Sequence, residues 1–358
     1  MYMARIKITD KEEYTSAGVG LLKASRRQTP VMNNNVADNR NIKQSFCEDV
    51  FLIGIKDGLK ASYSIVKIMV PISFIITIFK FLGIINAFST LVTPFFKFLG
   101  LQGHAVLAIL SGYFINCYSA IAVMESLPLT MKEISIISCM LLLCHTLPVE
   151  LSVQKKAGGS LLLILFVRLS SSILMGAILN LIIPGSTGQV ELDVKVHTAV
   201  NMNSFMNSVV SWLTETVLVI KIVIINILII IFYRLLNRYM IIAKVSGFFK
   251  HIMLVFGLAK ESAFMWLIIN IVGLIYGASM LIEAKDKRHI SEIEQKKLNL
   301  SICTCHSMIQ ETANFMTLGC NPAYLIIPRI VISIITVWIY NLYSALVNNR
   351  ESKRMLGT

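Results

Sequence analysis

Long apolar stretches separated by short polar ones fill most of this 358-residue sequence. Several reach or approach the roughly 20 residues that an α-helix needs to cross the hydrocarbon core of a bilayer. No strand-like alternation of apolar and polar residues accompanies them. The pattern predicts an all-α integral membrane protein, a polytopic helical bundle. Its apolar segments lie at 62–86, 88–101, 104–124, 133–150 and 160–184, and then at 208–236, 239–256, 262–283, 297–318 and 323–347.

The two sets of segments indicate an internal duplication. The stretch that begins at Cys144-His145 recurs at Cys305-His306, and a shift of 161 residues also carries Arg168 onto Arg329. Repeats of this length are too long for a solenoid and point to a duplicated bundle. We therefore expect repeat 1 at 46–186 and repeat 2 at 207–348, joined by an external linker at 187–206. A disordered cytoplasmic tail at 1–45 and a basic C-terminal tail at 349–358 complete the predicted organisation.

About five hydrophobic segments in each repeat make the two repeats cross the membrane in opposite directions. This is the inverted-repeat architecture of many secondary transporters, in which the substrate binds at the repeat interface near the bilayer midplane. The segments 88–101 and 239–256 are short and contain lysines, so they are alternatively interfacial or re-entrant. Lysine and arginine concentrate in both tails and in loops that this arrangement places inside, which predicts a cell (inner, cytoplasmic) membrane protein with both termini cytoplasmic.

Composition narrows the function classes. The chain is 55% hydrophobic and 15% charged, with a mean hydropathy of +0.70, outside the range of soluble domains. Its formal charge of +13 is explained by cytoplasmic loops, so no nucleic acid is expected as a partner. The odd number of cysteines does not suggest a disulfide framework. No phosphate loop or nucleophile triad appears, and we expect neither enzyme activity nor a cofactor.

Charged residues in apolar surroundings are the main candidates for a functional site, because they are costly in a membrane. Glu150 lies eight residues before Gly158 and Arg168 lies ten after it. In a helical hairpin that turns at Gly158, the two side chains lie at similar depth. Glu311 and Arg329 are placed in the same way around Gly319. Each Glu–Arg pair is interpreted either as a structural ion pair or as part of a substrate site.

The histidines and Pro148 add a second expectation. On a regular helix His145 and Glu150 lie about 140° apart, so they are not expected to share a face. Pro148 lacks a backbone donor and should kink or interrupt the helix in repeat 1. Repeat 2 has Ile309 at that place, so an interruption there has to arise from packing alone.

Further polar residues are candidates for a pathway or a metal site. Asn116 and Tyr118 in repeat 1 and Tyr276 in repeat 2 are possible substrate contacts. Cys303, Cys305 and His306 form a dense set of soft ligands, although their spacing matches neither a zinc ribbon nor a metalloprotease. Buried cysteine is also a common small apolar residue, so no metal is assigned and metal transport stays an alternative.

Several stretches resemble the nucleoside-recognition (Gate) domain membrane proteins: Gly100–Ala105, Gly112–Ala120 and Cys144–Glu150. That superfamily includes spore maturation proteins A and B and related sporulation membrane proteins, and it extends to concentrative nucleoside transporters. The resemblance covers about residues 50–347 and implies two Gate-like units. It implies candidate positions at His145, Glu150, His306 and Glu311, and it is poorly specific for substrate.

These observations support a transporter or permease for a small polar metabolite, a nucleoside or an organic anion. The substrate-binding candidates are His145, Glu150, Arg168, Asn116, Tyr118, Tyr276, His306, Glu311 and Arg329. Two alternatives stay open. One is a non-transporting membrane scaffold that acts with a partner, for example in sporulation; the other is divalent-metal transport. Expected partners are the lipid bilayer, a small solute, and a second copy or a paralogous membrane protein.

The predicted topology can be tested without knowing the substrate. Single cysteines at the N-terminus, Lys155, Lys287, the C-terminus and Lys195 would be introduced into a cysteine-free background. An impermeant thiol reagent added outside should label only the cysteine at position 195, and the other four should react only from the cytoplasmic side. Labelling of positions 155 and 195 from the same side would contradict the inverted arrangement.

Overall fold

Twelve α-helices make up most of what the computed structural model describes, namely residues 47–82, 84, 93, 94, 96–185, 206, 209, 210, 212, 213, 217–239, 241–274, 277, 281, 282 and 290–355. The tail at 1–45, nearly all of the linker at 187–206, Tyr276, Lys195 and Lys287 lie outside these residues. The helices are α1 Ile53–Phe81, α2 Ala105–Phe114, α3 Cys117–Glu125, α4 Met131–Leu143, α5 Leu147–Lys156, α6 Leu161–Ile182, α7 Val217–Arg238, α8 Ile241–Val255, α9 Ala263–Val272, α10 Glu292–Thr304, α11 Gln310–Met316 and α12 Pro322–Met355.

Helices long and apolar enough to cross a membrane are present in both halves. Within the described residues four candidate spans are found: Met131–Lys156, Leu161–Ile182, Val219–Leu236 and Pro322–Val347. Many of their large apolar side chains are exposed, such as Leu162 (76%) and Leu181 (86%), as expected for surfaces that face lipid. Helix α12 continues to Met355, so the first residues of the predicted basic tail extend the last helix.

The segment 104–124, expected as one apolar helix, is a helical hairpin. Helices α2 and α3 are separated by two residues and pack against each other. The Ser119 hydroxyl donates to the carbonyl oxygen of Ser111 at 3.1 Å, although eight residues of a continuous helix would separate them by about 12 Å. The reversal comes from Asn116, whose extended backbone and side-chain acceptor cap the start of α3. The chain therefore enters and leaves the hairpin at the same end.

The next helix is interrupted rather than reversed, and it is interrupted in both repeats. Helix α4 ends at Leu143 and α5 begins at Leu147; α10 ends at Thr304 and α11 begins at Gln310. Thr146 and Ser307 have positive φ values of 47° and 50°, a conformation that non-glycine residues rarely adopt.

Hydrogen bonds to a neighbouring helix support these interruptions. The backbone N–H of Thr146 donates to Gly112 of α2 at 2.9 Å, and that of Ser307 donates to Ile269 of α9 at 3.1 Å. The interruption expected at Pro148 is therefore displaced: the break precedes this residue, which lies in the first turn of α5. Repeat 2 is interrupted without any proline, by the same packing.

The starts of α4 and α10 show the same construction. Thr130 and Ser291 each accept a hydrogen bond from the backbone N–H three residues later, that of Glu133 or Glu294. Each glutamate also reaches the chain just before another helix, α2 or α9, where it accepts a hydrogen bond from the backbone N–H of Gln102 or of Ala259. Buried polar groups are thus paired in the same way in both repeats.

The two repeats are interleaved. Gly54 and Gly58 lie one turn apart on α1 and let it approach α7, where an added Cβ would come within 2.9 Å of Ile231 or Ile227. Small residues at this spacing allow two helix backbones to pack closely in a membrane. Phe315 of repeat 2 lies in the apolar core formed mainly by repeat 1, and Ile164 of repeat 1 lies in the core formed mainly by repeat 2.

The hairpin contact predicts different outcomes for two glycine substitutions. A Cβ at Gly112 would lie 2.3 Å from a methyl carbon of Leu141, whereas a Cβ at Gly247 in α8 would meet nothing within 4 Å. Overpacking of this kind costs about 1–3 kcal/mol. Gly112→Ala should therefore lower the unfolding temperature in detergent, while Gly247→Ala should keep it or raise it, since alanine is the better helix former. Equal stability of both variants would contradict the close packing of α2 against α4.

Candidate functional site

Two histidines at the helix interruptions point their rings at each other. His145 Nδ1 lies 2.8 Å from the carbonyl oxygen of Leu141, and His306 Nδ1 lies 2.8 Å from that of Ile302. A carbonyl oxygen only accepts, so Nδ1 is the donating nitrogen in both rings. The Nε2 atoms face the space between the repeats, the ring centroids are 5.1 Å apart, and both side chains are buried.

Two carboxylates join the rings across the repeats. His145 Nε2 lies 2.9 Å from Glu150 Oε1 and 3.0 Å from Glu311 Oε1. His306 Nε2 lies 3.3 Å from Glu150 Oε2. Glu150 therefore touches a histidine of each repeat, with one oxygen for each ring. The centre belongs to both repeats rather than to either one.

Two arginines surround the rings and carboxylates. Arg168 of α6 donates to Glu150 Oε2 and, at 3.0 Å, to the carbonyl oxygen of His145. Arg329 of α12 donates to the carbonyl oxygen of His306, and its Nη2 is 3.6 Å from Glu311 Oε2. Both guanidinium groups are fully buried. We call His145, Glu150, Arg168, His306, Glu311 and Arg329 the central network.

The expected pairing of each glutamate with an arginine of its own repeat is present, but the two pairs differ. The contact between Arg168 and Glu150 is close, whereas that between Arg329 and Glu311 exceeds hydrogen-bond length. The expectation that His145 and Glu150 do not meet was wrong. It assumed a continuous helix, and the interruption between α4 and α5 removes the 140° separation.

The charges of the central network balance within it. Two ionised carboxylates offset two guanidinium groups, which leaves the charge of the histidines as the only remainder. An unpaired charge in a low-dielectric interior is strongly unfavourable, so removing one member is expected to damage the fold. Each charged member of the network is therefore needed to keep the others stable in a low-dielectric interior.

A smaller polar cluster lies beside Glu311. The Tyr118 hydroxyl donates to Asn226 Oδ1 at 3.0 Å, and Gln310 Nε2 donates to the same oxygen at 2.8 Å. Asn226 Nδ2 reaches Asn314 Oδ1 at 3.3 Å. Of these four residues the sequence singled out only Tyr118. Asn226 is an amide within the apolar helix α7, and that position was the available signal. Gln310 and Asn314 lie four residues apart on the short polar helix α11.

The remaining sequence candidates are placed as follows. Asn116 is the helix cap at the hairpin tip and does not belong to the central network. Its neighbour Cys117, which was not proposed as a site residue, has its thiol within 4.8 Å of ligand atoms of His145 and Glu311. Tyr276 lies outside the described residues, so its expected contact stays a prediction.

The cysteine-based metal site is not assembled in the described part of the chain. The Cys305 thiol is directed to Asn270 and that of Cys303 to the backbone of Leu300. The donor atoms of His145, Glu150 and His306 do lie within 4.8 Å of one another. However, both glutamates are already opposed by arginines, so a divalent ion would add uncompensated positive charge to an apolar interior even after it displaces a proton. These residues do not fit a resident metal ion.

Comparison with known proteins supports the class but not an activity. Over 271 residues the chain is 25% identical to a Bacillus subtilis (strain 168) protein described as the uncharacterized membrane protein YvoD, covering 75% of this chain and 87% of that protein. No protein-family model matches the chain. No solved structure matches it either. Together with the candidate spans, this similarity identifies a helical membrane protein.

The unequal contacts of the two glutamates predict unequal effects of their removal. Glu150→Ala leaves Arg168 without its carboxylate and should lower the free energy of unfolding by about 3–5 kcal/mol. Glu311→Ala should cost less, because Arg329 keeps its bond to the His306 carbonyl oxygen. Thermal unfolding of the purified proteins in detergent measures both. Glu292→Ala, which breaks an exposed ion pair with Lys296, is the control and should change little. Equal losses for the two central variants would contradict the asymmetry.

Proposed function

We propose that the protein is a secondary transporter of a small organic anion, built from two inverted repeats with the central network between them. The observation that carries this proposal is the reciprocal contact across the repeats: His145 of one reaches Glu311 of the other, and His306 reaches Glu150. Reciprocal contacts of this kind are what a pseudo-two-fold axis between the rings would produce. Transporters with internal repeats bind their substrates at such an interface.

The orientation of the repeats follows from the number of crossings proposed for each. In repeat 1, α1, the interrupted α4–α5 and α6 cross the membrane, while the hairpin α2–α3 returns to its own side. In repeat 2, α7, α10–α11 and α12 take the same roles. Three is odd, so the second repeat runs opposite to the first. This count replaces the five crossings expected from the sequence and keeps Lys155 and Lys156 on the cytoplasmic side.

An anionic substrate is supported by unused donors. Nε and Nη1 of Arg329 and Nε of Arg168 are buried without a hydrogen-bond partner. Buried donors are normally paired, and each unpaired one costs free energy. Guanidinium groups bind carboxylate and phosphate oxygens in pairs of parallel bonds. Arg329 is the stronger candidate because its own glutamate lies 3.6 Å away.

The described arrangement corresponds to a closed state. Side chains of the central network are between 0% and 16% exposed, and they fill the space between one another. Substrate entry therefore requires the two interrupted helices to separate. The interruptions supply the flexible points at which α4 and α5, or α10 and α11, can change their relative angle without unfolding a continuous helix.

Uptake into proteoliposomes tests the proposed function. A panel of radiolabelled mono- and dicarboxylates, phosphorylated metabolites and nucleosides would be offered to the reconstituted protein, and we expect accumulation of at least one anionic compound. Arg329→Lys, which keeps the positive charge but cannot form paired parallel hydrogen bonds, should abolish this uptake. Arg238→Lys, at an exposed arginine that ends α7, should leave it intact. Monodisperse elution of both variants confirms folding.

Two results would contradict the proposal. Uptake of nucleosides alone would show that the substrate is uncharged. This is the substrate class that the name of the Gate-domain family suggests. Failure of every compound to accumulate or bind, together with a membrane protein that co-purifies in fixed ratio, would favour the scaffold alternative.

A further inference from the structure

If His145 is neutral and both glutamates are ionised, the contacts around His145 lack one proton. Its Nδ1 donates to Leu141, so a neutral ring would have an unprotonated Nε2. That nitrogen lies 2.9 and 3.0 Å from two carboxylate oxygens. An ionised carboxylate oxygen can only accept a hydrogen bond, and so can an unprotonated ring nitrogen. These atoms do not approach one another so closely unless one of them carries a proton. A proton must lie on Nε2 or on one of the facing oxygens.

His306 is in a different state despite its equivalent position. Its Nδ1 is also committed to a backbone carbonyl oxygen, but its buried Nε2 makes no hydrogen bond. The nearest carboxylate oxygen, Glu150 Oε2, is 3.3 Å away and already accepts from Arg168. One ring is thus held between two acceptors, while the other presents an unused nitrogen.

We propose that His145 and His306 are alternative binding sites for a single proton, bridged by Glu150, and that this proton is the coupling ion of the transporter. The inference rests on the proposed transport function for its role and on the geometry alone for the site. The structure corresponds to the state with the proton on His145. Its counterpart has the proton on His306, with the two repeats exchanging roles about the pseudo-two-fold axis.

The transfer is balanced without any other reactant. The N–H bond at His145 Nε2 breaks as an O–H bond forms at Glu150 Oε1. Rotation of the carboxyl group presents this proton to His306 Nε2, where an N–H bond forms and the O–H bond breaks. The positive charge moves from one ring to the other, and the total charge of the central network does not change. No charge is therefore created in the apolar interior during the step.

Other groups around the rings were considered as proton carriers. The charged groups that face the pair come from four helices and are Glu150 of α5, Glu311 of α11, Arg168 of α6 and Arg329 of α12. Among the described residues, five thiols also lie close enough to interact with members of the network, those of Cys117, Cys139, Cys144, Cys303 and Cys305. Among these groups Glu150 is the one that contacts both rings. The Cys117 thiol lies close to His145 and Glu311, in a group that does not include His306.

Nitrogen NMR of the protein in lipid nanodiscs tests the proposal without a substrate. Histidine labelled with ¹⁵N distinguishes an imidazolium from a neutral ring and shows which nitrogen of a neutral ring is protonated. The chain has six histidines, and His145→Gln and His306→Gln assign the two relevant signals. If one variant does not fold, replacing the four other histidines one at a time assigns its signal by elimination. Near neutral pH we expect His145 as imidazolium and His306 as a neutral ring protonated at Nδ1.

The bridge is tested in the same preparation. Exchange cross-peaks should connect the two rings in the unmodified protein, and Glu150→Gln should abolish them, because an amide cannot carry the proton. Glu292→Gln, which changes an exposed carboxylate that pairs with Lys296 away from the network, should leave both signals and their exchange unchanged. If Glu150→Gln does not fold, the ring states of the unmodified protein decide the outcome.

Three results would overturn the proposal. Two neutral rings would show that His145 does not hold the proposed proton, and two imidazolium rings would remove the vacant site. A shift of both ring signals by micromolar Zn²⁺ or Co²⁺ would show that the network binds a metal ion instead. None of these results depends on uptake. A failed uptake panel with His145 as imidazolium would disprove transport and leave the proton site in place.

Discussion

A charge buried in a membrane needs a partner close by, and this requirement governs the arrangement of the protein. Arg168 and Arg329 are fully buried, and each approaches a glutamate of its own repeat and the carbonyl oxygen of a histidine. Those carbonyl oxygens are free because the helices are interrupted at this depth. The interruptions in turn are held by hydrogen bonds to α2 and to α9. Packed helix, broken helix and arginine therefore form one unit, which occurs twice among the described residues.

Part of this arrangement follows from the sequence, because pairing and duplication leave local traces. The shift that carries His145 onto His306 and the equal distances of glutamate and arginine from a glycine were sufficient to place Glu150 beside Arg168. Gly158 and Gly319, the predicted turns, have φ values of 88° and 90°, as a left-handed glycine turn requires. These features depend on residues close in the chain and on a regular helix between them.

What the sequence did not reveal depends on departures from regular helices. The reversal at Asn116 leaves the apolar pattern of residues 104–124 unchanged, so hydropathy reads one helix where two lie antiparallel. The left-handed Thr146 and Ser307 have no sequence signature, since neither is glycine. Their conformation brings Glu150 to His145 and, with Glu311, joins the repeats. The sequence therefore predicted that the two repeats are similar, but not which of their residues touch one another.

The interleaved cores also have a consequence for biosynthesis. Helix α5 and helix α6 leave the ribosome one directly after the other. Glu150 and Arg168 can therefore neutralise each other as these two helices insert. Phe315, which completes the apolar core around repeat 1, is synthesised more than a hundred residues later. Until the second half has been inserted, the apolar core of the first half is therefore incomplete. A chain truncated before α11 would be a substrate for membrane quality control rather than a functional half.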